Sequence, residues 1–387
     1  MRILRVIVSM DPKSGGPCQG IRNSVPALQK LGIENDVVCF DDPKSDFLGK
    51  DDFKITAIGP ALNSYSYTSA LKPLLTNIIT NYSVIIIHGL WQYNSYGTYR
   101  IWKSLKEKGI SVPRLYVMPH GMLDPYFQRA PERKLKALRN RVFWKLVEKK
   151  VINGVDGVLF TCEQELILAR TTFPNYHPKE EFDVGYGIEA PPEKKAKQLE
   201  AFEEVCPEVS NTPYWLFLSR IHPKKGVELL IKAYRQVIEE GKSLPPLVIA
   251  GPGLDTTYGV KVLKLASGLP IYFPGMLRGN QKWGALYGCE AFILPSHQEN
   301  FGIAVVEALA CSKPVLISKQ VNIWREIYSA EGALVFNDNF KDVLNSLIEF
   351  VNISTERKKS LEINARSVFE KSYTVEAAAL RMKSTIL

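Results

Sequence analysis

Short apolar runs recur along the chain, continuous rather than alternating, and stretches with helical spacing separate them. In the first half the runs are Ile3–Ser9, Val37–Phe40, Val84–His88, Leu115–Met118 and Val158–Phe160. Continuous β-branched runs of this length predict strands covered on both faces, as in a parallel sheet. Asp11–Gly20 reads as a Pro/Gly loop. Ile21–Leu31 puts Val25, Leu28 and Leu31 on one face and stops at Gly32, which predicts a helix. After the charged, proline-bearing stretch Glu189–Pro213 the rhythm restarts. Strands are predicted at Tyr214–Ser219, Leu247–Ala250, Ile271–Phe273, Ala291–Leu294 and Val315–Ile317, and helices at Val227–Glu239 and Phe301–Ala310. The expected architecture is α/β, with two doubly wound, Rossmann-like domains facing each other across a cleft. The expected boundaries are 1–190, a linker over 191–213, 214–368, and a terminal helix over 369–387 that packs back toward the first domain.

Composition refines this picture. The 387 residues are 45% hydrophobic, enough for two ordinary cores. No apolar run reaches the roughly eighteen residues of a membrane-spanning helix. Arg5 interrupts the first run and Asp11 follows it, so it reads as a strand and not a signal peptide. Cysteines 18, 39, 162, 206, 289 and 311 are scattered without a C-x-x-C pair, which predicts reduced thiols in a cytoplasmic protein. The net charge is +9, and Arg129–Lys150 holds nine Lys or Arg against Glu132 and Glu148. Its apolar set has helical spacing: Leu135, Leu138, Val142, Phe143, Leu146 and Val147. The simpler expectation is a surface helix with this stripe in the core. The sharper one is a helix at the rim of an acceptor site, drawn peripherally to anionic membrane or a lipid diphosphate.

Chemistry concentrates between Tyr214 and Glu326. An apolar strand ends at Pro295, a polar loop with Glu299 follows, and Gly302 precedes a helix containing Glu307. The first amides of that helix can hold a phosphate, and a carboxylate can accept from both hydroxyls of a diol. Ser219-Arg220-Ile221-His222-Pro223-Lys224-Lys225-Gly226 also lies between strand and helix. Arg220 and Lys225 can neutralise a diphosphate. A capped βα turn and a solvated basic loop are the plain alternatives. Ala250-Gly251-Pro252-Gly253 is a glycine turn, weak by itself.

In this order, each at a strand end, these pieces resemble the donor-binding domain of retaining GT-B glycosyltransferases, the glycosyl transferases group 1 type numbered family 4. The likeness is strong from Tyr214 onward and looser before it. It implies a hexosyltransferase of bacterial polysaccharide biosynthesis. The donor would be a nucleotide-sugar, UDP-glucose first, and the acceptor a glycan or lipid-linked oligosaccharide. Arg220 and Lys225 would hold the diphosphate, Glu299 the sugar hydroxyls and Glu307 the ribose. The backbone of Phe301 and Gly302 would add amides to the phosphates, Gly251, Asn300 and Ile303 would also bind the donor, and Gly275, Met276, Leu277 and Arg278 would flank the base. In the first half Gly15 and Gly16 match the loop facing the diphosphate, and His120 of Pro119-His120-Gly121 lies beside the transferred sugar. Departures are Ser312 where the family has Gly, Gln320–Glu326 in place of a Gly-Gly turn, and Tyr186-Gly187-Ile188-Glu189 in place of an interdomain Asn-Gly turn.

His88, followed by Gly89 at a strand end, and Asp124 are candidates for the acceptor side. His222 and His297 read as lining residues, and His177 gets no role. No cluster has metal-ligand spacing, so neither metal nor cofactor is expected, with Arg220 and Lys225 meeting the diphosphate charge. The resemblance implies retention, by a double displacement through a carboxylate such as Asp124 or, the favoured reading, by a front-face route in which the leaving diphosphate takes the acceptor's proton and His120 hydrogen-bonds the sugar. The alternatives are an epimerase or phosphorylase of the same fold and a basic nucleic-acid-binding protein. The latter lacks any helix-turn-helix, zinc or stacking signature, so nucleic acid is not an expected partner. A nicotinamide dehydrogenase is disfavoured because Lys13–Gly20 is not G-x-G-x-x-G.

Overall fold

The predicted apolar runs form two parallel sheets in a computed structural model that describes residues 1–130 and 133–386. The first sheet holds β1 (Arg2–Ile7), β2 (Glu34–Cys39), β3 (Ile55–Ala57), β4 (Val84–His88), β5 (Arg114–Met118), β6 (Gly157–Phe160) and β7 (Glu181–Asp183). Their order is β3-β2-β1-β4-β5-β6-β7. The second holds β8 (Trp215–Leu218), β9 (Leu247–Ala250), β10 (Ile271–Gly275), β11 (Ala291–Leu294), β12 (Val315–Ser318) and β13 (Ala333–Phe336), in the order β10-β9-β8-β11-β12-β13. In each sheet the direction of winding reverses once, between β1 and β4 and between β8 and β11. A doubly wound sheet opens a crevice at its C-terminal strand ends where that reversal occurs.

β3, β7 and β13 escaped the sequence reading. Each is an edge strand of three or four residues, only partly buried and too short for a period. The first helix begins at Gly16, inside the predicted loop, because Pro17 suits a first helical turn.

Contacts divide the chain into one unit of residues 1–187 with Val375 onward, and another of Ile188–Thr374. The segment 191–213 is not an extended linker. It carries the helix Ala196–Glu203, which presses on the helix Gly279–Gly288. A Cβ on Gly284 would stand 1.9 Å from the Gln198 carbonyl oxygen. The terminal helix Val375–Ile386 buries Ala379, Met382 and Ile386 with Ile3, Leu28 and Val84, and Arg381 pairs with Asp183 at 3.5 Å. The cysteines are buried free thiols. Among the described residues no helix is long and apolar enough to cross a membrane. Ser312, where the resembling family has Gly, adopts φ 59° just past the helix Ile303–Ala310. That left-handed angle is the usual reason for glycine after a helix.

The basic stretch corrects the simpler expectation (its Glu132 lies outside the described residues). The helix Lys134–Phe143 and the wide π-turn Trp144–Glu148 bury Ala137, Asn140, Trp144 and Glu148. Four of the six residues of the predicted core stripe face out instead: Leu135 is 85% exposed, Leu138 60%, Val142 52% and Leu146 57%, while Phe143 and Val147 are half-buried and Phe143 packs on Tyr65 and Trp91. Polar anchoring explains the choice of face. Trp144 donates its indole N–H to the Pro174 carbonyl at 2.9 Å. Glu148 accepts from the Trp91 backbone N–H at 2.8 Å and the Ser95 hydroxyl at 2.7 Å.

Burial pushes the Glu148 carboxyl up to about 7 from an ordinary 4.5, against smaller opposite pulls from Ser95 and Trp91. A raised folded-state pKa stabilises below the unfolded value, and the contribution is lost as pH rises from about 4.5 through 7. Glu148→Gln has no such loss. Between pH 4.5 and 8 the stability difference should shift toward the Gln variant by about 3 kcal/mol. Urea denaturation of both proteins at the two pH values measures it. A constant difference would mean that Glu148 titrates normally in the fold.

Candidate functional site

In the second unit Arg220, Lys225 and Glu299 lie in loops that follow strands, and Glu307 lies on the helix Ile303–Ala310. β8 runs into Ser219 and Arg220, then a tight turn Pro223–Lys225, then Gly226 and the helix Val227–Glu239. Gly226 has φ 70°, and a Cβ there would lie 2.0 Å from the Pro295 carbonyl oxygen just past β11. The His297 N–H donates to the Lys224 carbonyl at 2.8 Å. The loops on either side of the reversal are thus fastened to each other. Gly251 (φ 144°) is needed for space, since its Cβ would stand 1.9 Å from the Ser219 carbonyl oxygen. Its N–H donates to the Gly275 carbonyl at 2.8 Å, so the third loop joins the same cluster.

Across this cluster Lys225, only 5% exposed, forms an ion pair with Glu299. Glu307, on the helix that Gly302 opens at φ 79°, pairs with Lys282 at 2.6 Å. Arg220 is exposed and has no hydrogen bond or ion pair among the described residues. The segment Gln320–Glu326, a departure from the family pattern, holds the Glu299 backbone. The Glu299 N–H donates to the Gln320 carbonyl at 2.8 Å, and the Asn322 N–H donates to the Glu299 carbonyl at 3.0 Å. Asn322 Nδ2 reaches Asn300 Oδ1 at 3.4 Å, and the Phe301 ring meets Tyr373 edge-on at 5.7 Å. Ile303 begins the helix. On the Gly275 side Leu277 is buried, while Met276 and Arg278 are exposed with Arg278 against the Met276 sulfur at 3.5 Å. His297 pairs with Asp338 at 2.9 Å, and the His222 ring accepts from the Lys224 N–H.

The first unit gathers neutral polar groups at its own reversal. His88 ends β4, and His120 follows β5 at φ 53°. Nδ1 of His88 lies 2.9 Å from Nε2 of His120, with the ring centroids 5.2 Å apart and their planes within 21° of parallel. Arg5 Nη1 lies 3.4 Å from Nε2 of His88, and its Nε donates to Asn35 Oδ1 at 2.9 Å. A cavity of about 30 Å³, room for one water, is lined by these three side chains and Tyr186. Burial holds His120 down to about 3, with Arg5 adding to it. Burial, then His120, then Arg5 keep His88 well below the ordinary histidine range. Burial alone brings Arg5 to about 10.

The left-handed His120 is fixed from behind by Glu165. That buried carboxylate accepts from the Gly121 N–H at 2.5 Å, the Thr161 N–H at 2.8 Å and the Thr161 hydroxyl at 2.6 Å. Asp124, buried, accepts from the Tyr126 N–H at 2.8 Å and is absent from the lining of the His88–His120 cavity. Gly15 (φ 91°) and Gly16 open the first helix, and the Tyr186 hydroxyl donates to the Gly16 carbonyl. Arg5, Glu165 and Lys282 were not among the candidates. Arg5 had a signal, a lone charge inside an apolar strand. The other two sit on helices, with nothing in their spacing to mark them.

Residues 200–368 match the family described as glycosyl transferases group 1. An uncharacterized glycosyltransferase of Methanocaldococcus jannaschii is 25% identical over 44% of this chain, and the match spans only 46% of that relative's length. The alpha-monoglucosyldiacylglycerol synthase of Streptococcus pneumoniae is 26% identical over 97% of this chain and 83% of its own. Anabaena HepE, solved in complex with UDP-glucose, superposes with a TM-score of 0.69 at 17% identity, covering 100% of this chain and 99% of that one. That likeness shows the shared two-unit Rossmann-like fold.

The Glu165 clamp makes a prediction. Glu165→Ala removes the acceptor for three buried donors, each costing about 1–3 kcal/mol when left unmet. Urea denaturation should show a loss of several kcal/mol for the N-terminal unit. A loss below about 1 kcal/mol would mean that the loop holds its shape without the carboxylate.

Proposed function

We propose that this chain, a group 1 glycosyltransferase of the GT-B fold, transfers a hexose from a nucleotide-sugar, UDP-glucose first, to a lipid-linked saccharide with retention of anomeric configuration. The observation that carries the reading is the placement of Arg220, Lys225 and Glu299 on two fastened loops at the winding reversal of the second sheet. Gly302 opens a helix within the second loop. A diphosphate needs positive charge and free amides there, and Arg220 brings a charge with no counter-ion among the described residues. Lys225 shares its charge with Glu299, so a donor that engages Lys225 through phosphate turns Glu299 toward the sugar hydroxyls. Glu307 takes the ribose and Gly275–Arg278 flank the base. These cations stand in for a metal, and no cofactor is required.

Support for a front-face route comes from the His120 loop. The carboxylates of Asp124 and Glu165 accept from backbone N–H groups there, an unfavourable state for a nucleophile that must attack the anomeric carbon. The leaving diphosphate takes the acceptor's proton while Arg220, Lys225 and the helix amides hold its charge.

The exposed row Leu135, Leu138, Val142 and Leu146 supports a lipid-linked acceptor. Lys134, Lys136, Arg139, Arg141 and Lys145 lie among these residues. Apolar side chains with basic neighbours fit an anionic bilayer surface. On this reading the enzyme is cytoplasmic and peripheral at the inner face of the membrane.

Two outcomes test the reading. Arg220→Ala should slow transfer from UDP-glucose about thirtyfold to hundredfold, with wild-type activity persisting in excess EDTA. Product NMR should show the donor's anomeric configuration. An inverted linkage, or released epimer in place of a glycoside, would remove the proposed reaction. For the membrane, wild-type protein should sediment with phosphatidylglycerol-containing vesicles and far less with phosphatidylcholine alone. Replacing the four exposed apolar residues by Ser should cut that binding at least tenfold, on the order of 1.5 kcal/mol or more. Equal binding by the variant would refute docking through this row.

A further inference from the structure

Arg5 lies mid-strand in β1 with its guanidinium fully buried, and among the described residues no carboxylate pairs with it. Its contacts are Asn35 Oδ1 at 2.9 Å, His88 Nε2 at 3.4 Å and the Met382 sulfur at 3.9 Å. A guanidinium only donates hydrogen bonds and keeps its proton in proteins. His88 Nε2, facing that donor, must therefore present its lone pair. A neutral imidazole carries one proton, so the proton of His88 sits on Nδ1. That nitrogen is 2.9 Å from Nε2 of His120, and it donates. His120 Nε2 is then an acceptor, and the single proton of His120 sits on its Nδ1.

We infer that Arg5 and His88 act as positioning residues that lock His120 in the neutral Nδ1–H tautomer, so that one fixed N–H is what His120 offers a ligand. The inference rests on the proposed contact of His120 with the transferred sugar. Each link in the chain has a definite direction because its first member cannot accept. A proton added at His88 Nε2 would point at Arg5, and one added at His120 Nε2 would point at the His88 N–H. Both positions are closed by a donor already in place. His120 is thus a hydrogen-bond donor to a sugar hydroxyl or ring oxygen and not a base, so the acceptor's proton goes elsewhere, to the leaving diphosphate. The Glu165 clamp sets where the His120 backbone lies, and the relay sets which ring atom carries hydrogen.

Long-range proton–nitrogen NMR on the full chain with isotope-labelled histidine reads the tautomer directly. The His120 signal is identified by its loss in His120→Ala. At neutral pH, wild-type His88 and His120 should both be neutral with hydrogen on Nδ1. Arg5→Met removes the donor and should leave His120 as a mixture of tautomers. It should lower kcat about twofold to fivefold, in proportion to the fraction of His120 that loses hydrogen from Nδ1, with the donor KM within about twofold of wild type. Arg5→Lys restores a donor-only group and should restore the single tautomer and most of the rate. Hydrogen on Nε2 of His120 in the wild type would overturn the relay, and so would an unchanged Nδ1–H state in Arg5→Met. The wild-type spectrum decides alone if Arg5→Met does not fold. If the tautomers shift as stated and kcat does not, the relay stands and the sugar contact of His120 is what fails.

Discussion

Parallel strands covered on both faces set the terms for everything polar in this protein. Val84–Ile87 of β4, β9, and all of β11 but Leu294 are fully buried, with backbone groups paired along the sheet. A polar side chain inside such a layer must find a partner, because water cannot reach it. Chemistry is therefore pushed to the C-terminal strand ends, where loops can present side chains and helices begin. The reversal of winding in each sheet separates two neighbouring loops and leaves a crevice there. Arg220, Lys225 and Glu299 sit at one such place, and His88 and His120 at the other.

The two units solve the electrostatics of that place differently. The second keeps its groups charged and balances most of them in buried or half-buried pairs, Lys225 with Glu299 and Lys282 with Glu307. Such pairs can be opened by a ligand that supplies equivalent partners. The first unit draws its polar groups inside and keeps the histidines neutral. Burial pushes His88 and His120 down and Glu148 up, each toward its uncharged form. Arg5 is the exception, a cation held by neutral acceptors, and the direction of its hydrogen bonds passes to the two histidines.

The basic helix shows the same priority of polar satisfaction over apolar pattern. Turning Leu135, Leu138, Val142 and Leu146 inward would have removed more apolar surface from water. It would also have turned Trp144 and Glu148 away from the Pro174 carbonyl, the Trp91 N–H and the Ser95 hydroxyl. The observed face keeps those bonds and leaves the apolar row exposed.

Sequence by itself determined the architecture and most of the loops at the strand ends of the second sheet. Short continuous apolar runs bounded by turn signals fit doubly covered strands, and turn glycines such as Gly226, Gly251 and Gly302 follow those strands. The edge strands β3, β7 and β13 were lost because three or four partly buried residues carry no period. Tertiary structure alone decided which face of the basic helix is buried, because that depends on acceptors and donors about fifty residues away in the chain. It alone paired Lys282 with Glu307, and set Glu165 beneath Gly121. It alone brought Arg5 to His88 across 83 positions of sequence, and His88 to His120 across 32. Periodicity records which residues avoid water. Which nitrogen faces which donor is fixed only when distant strand ends are laid side by side.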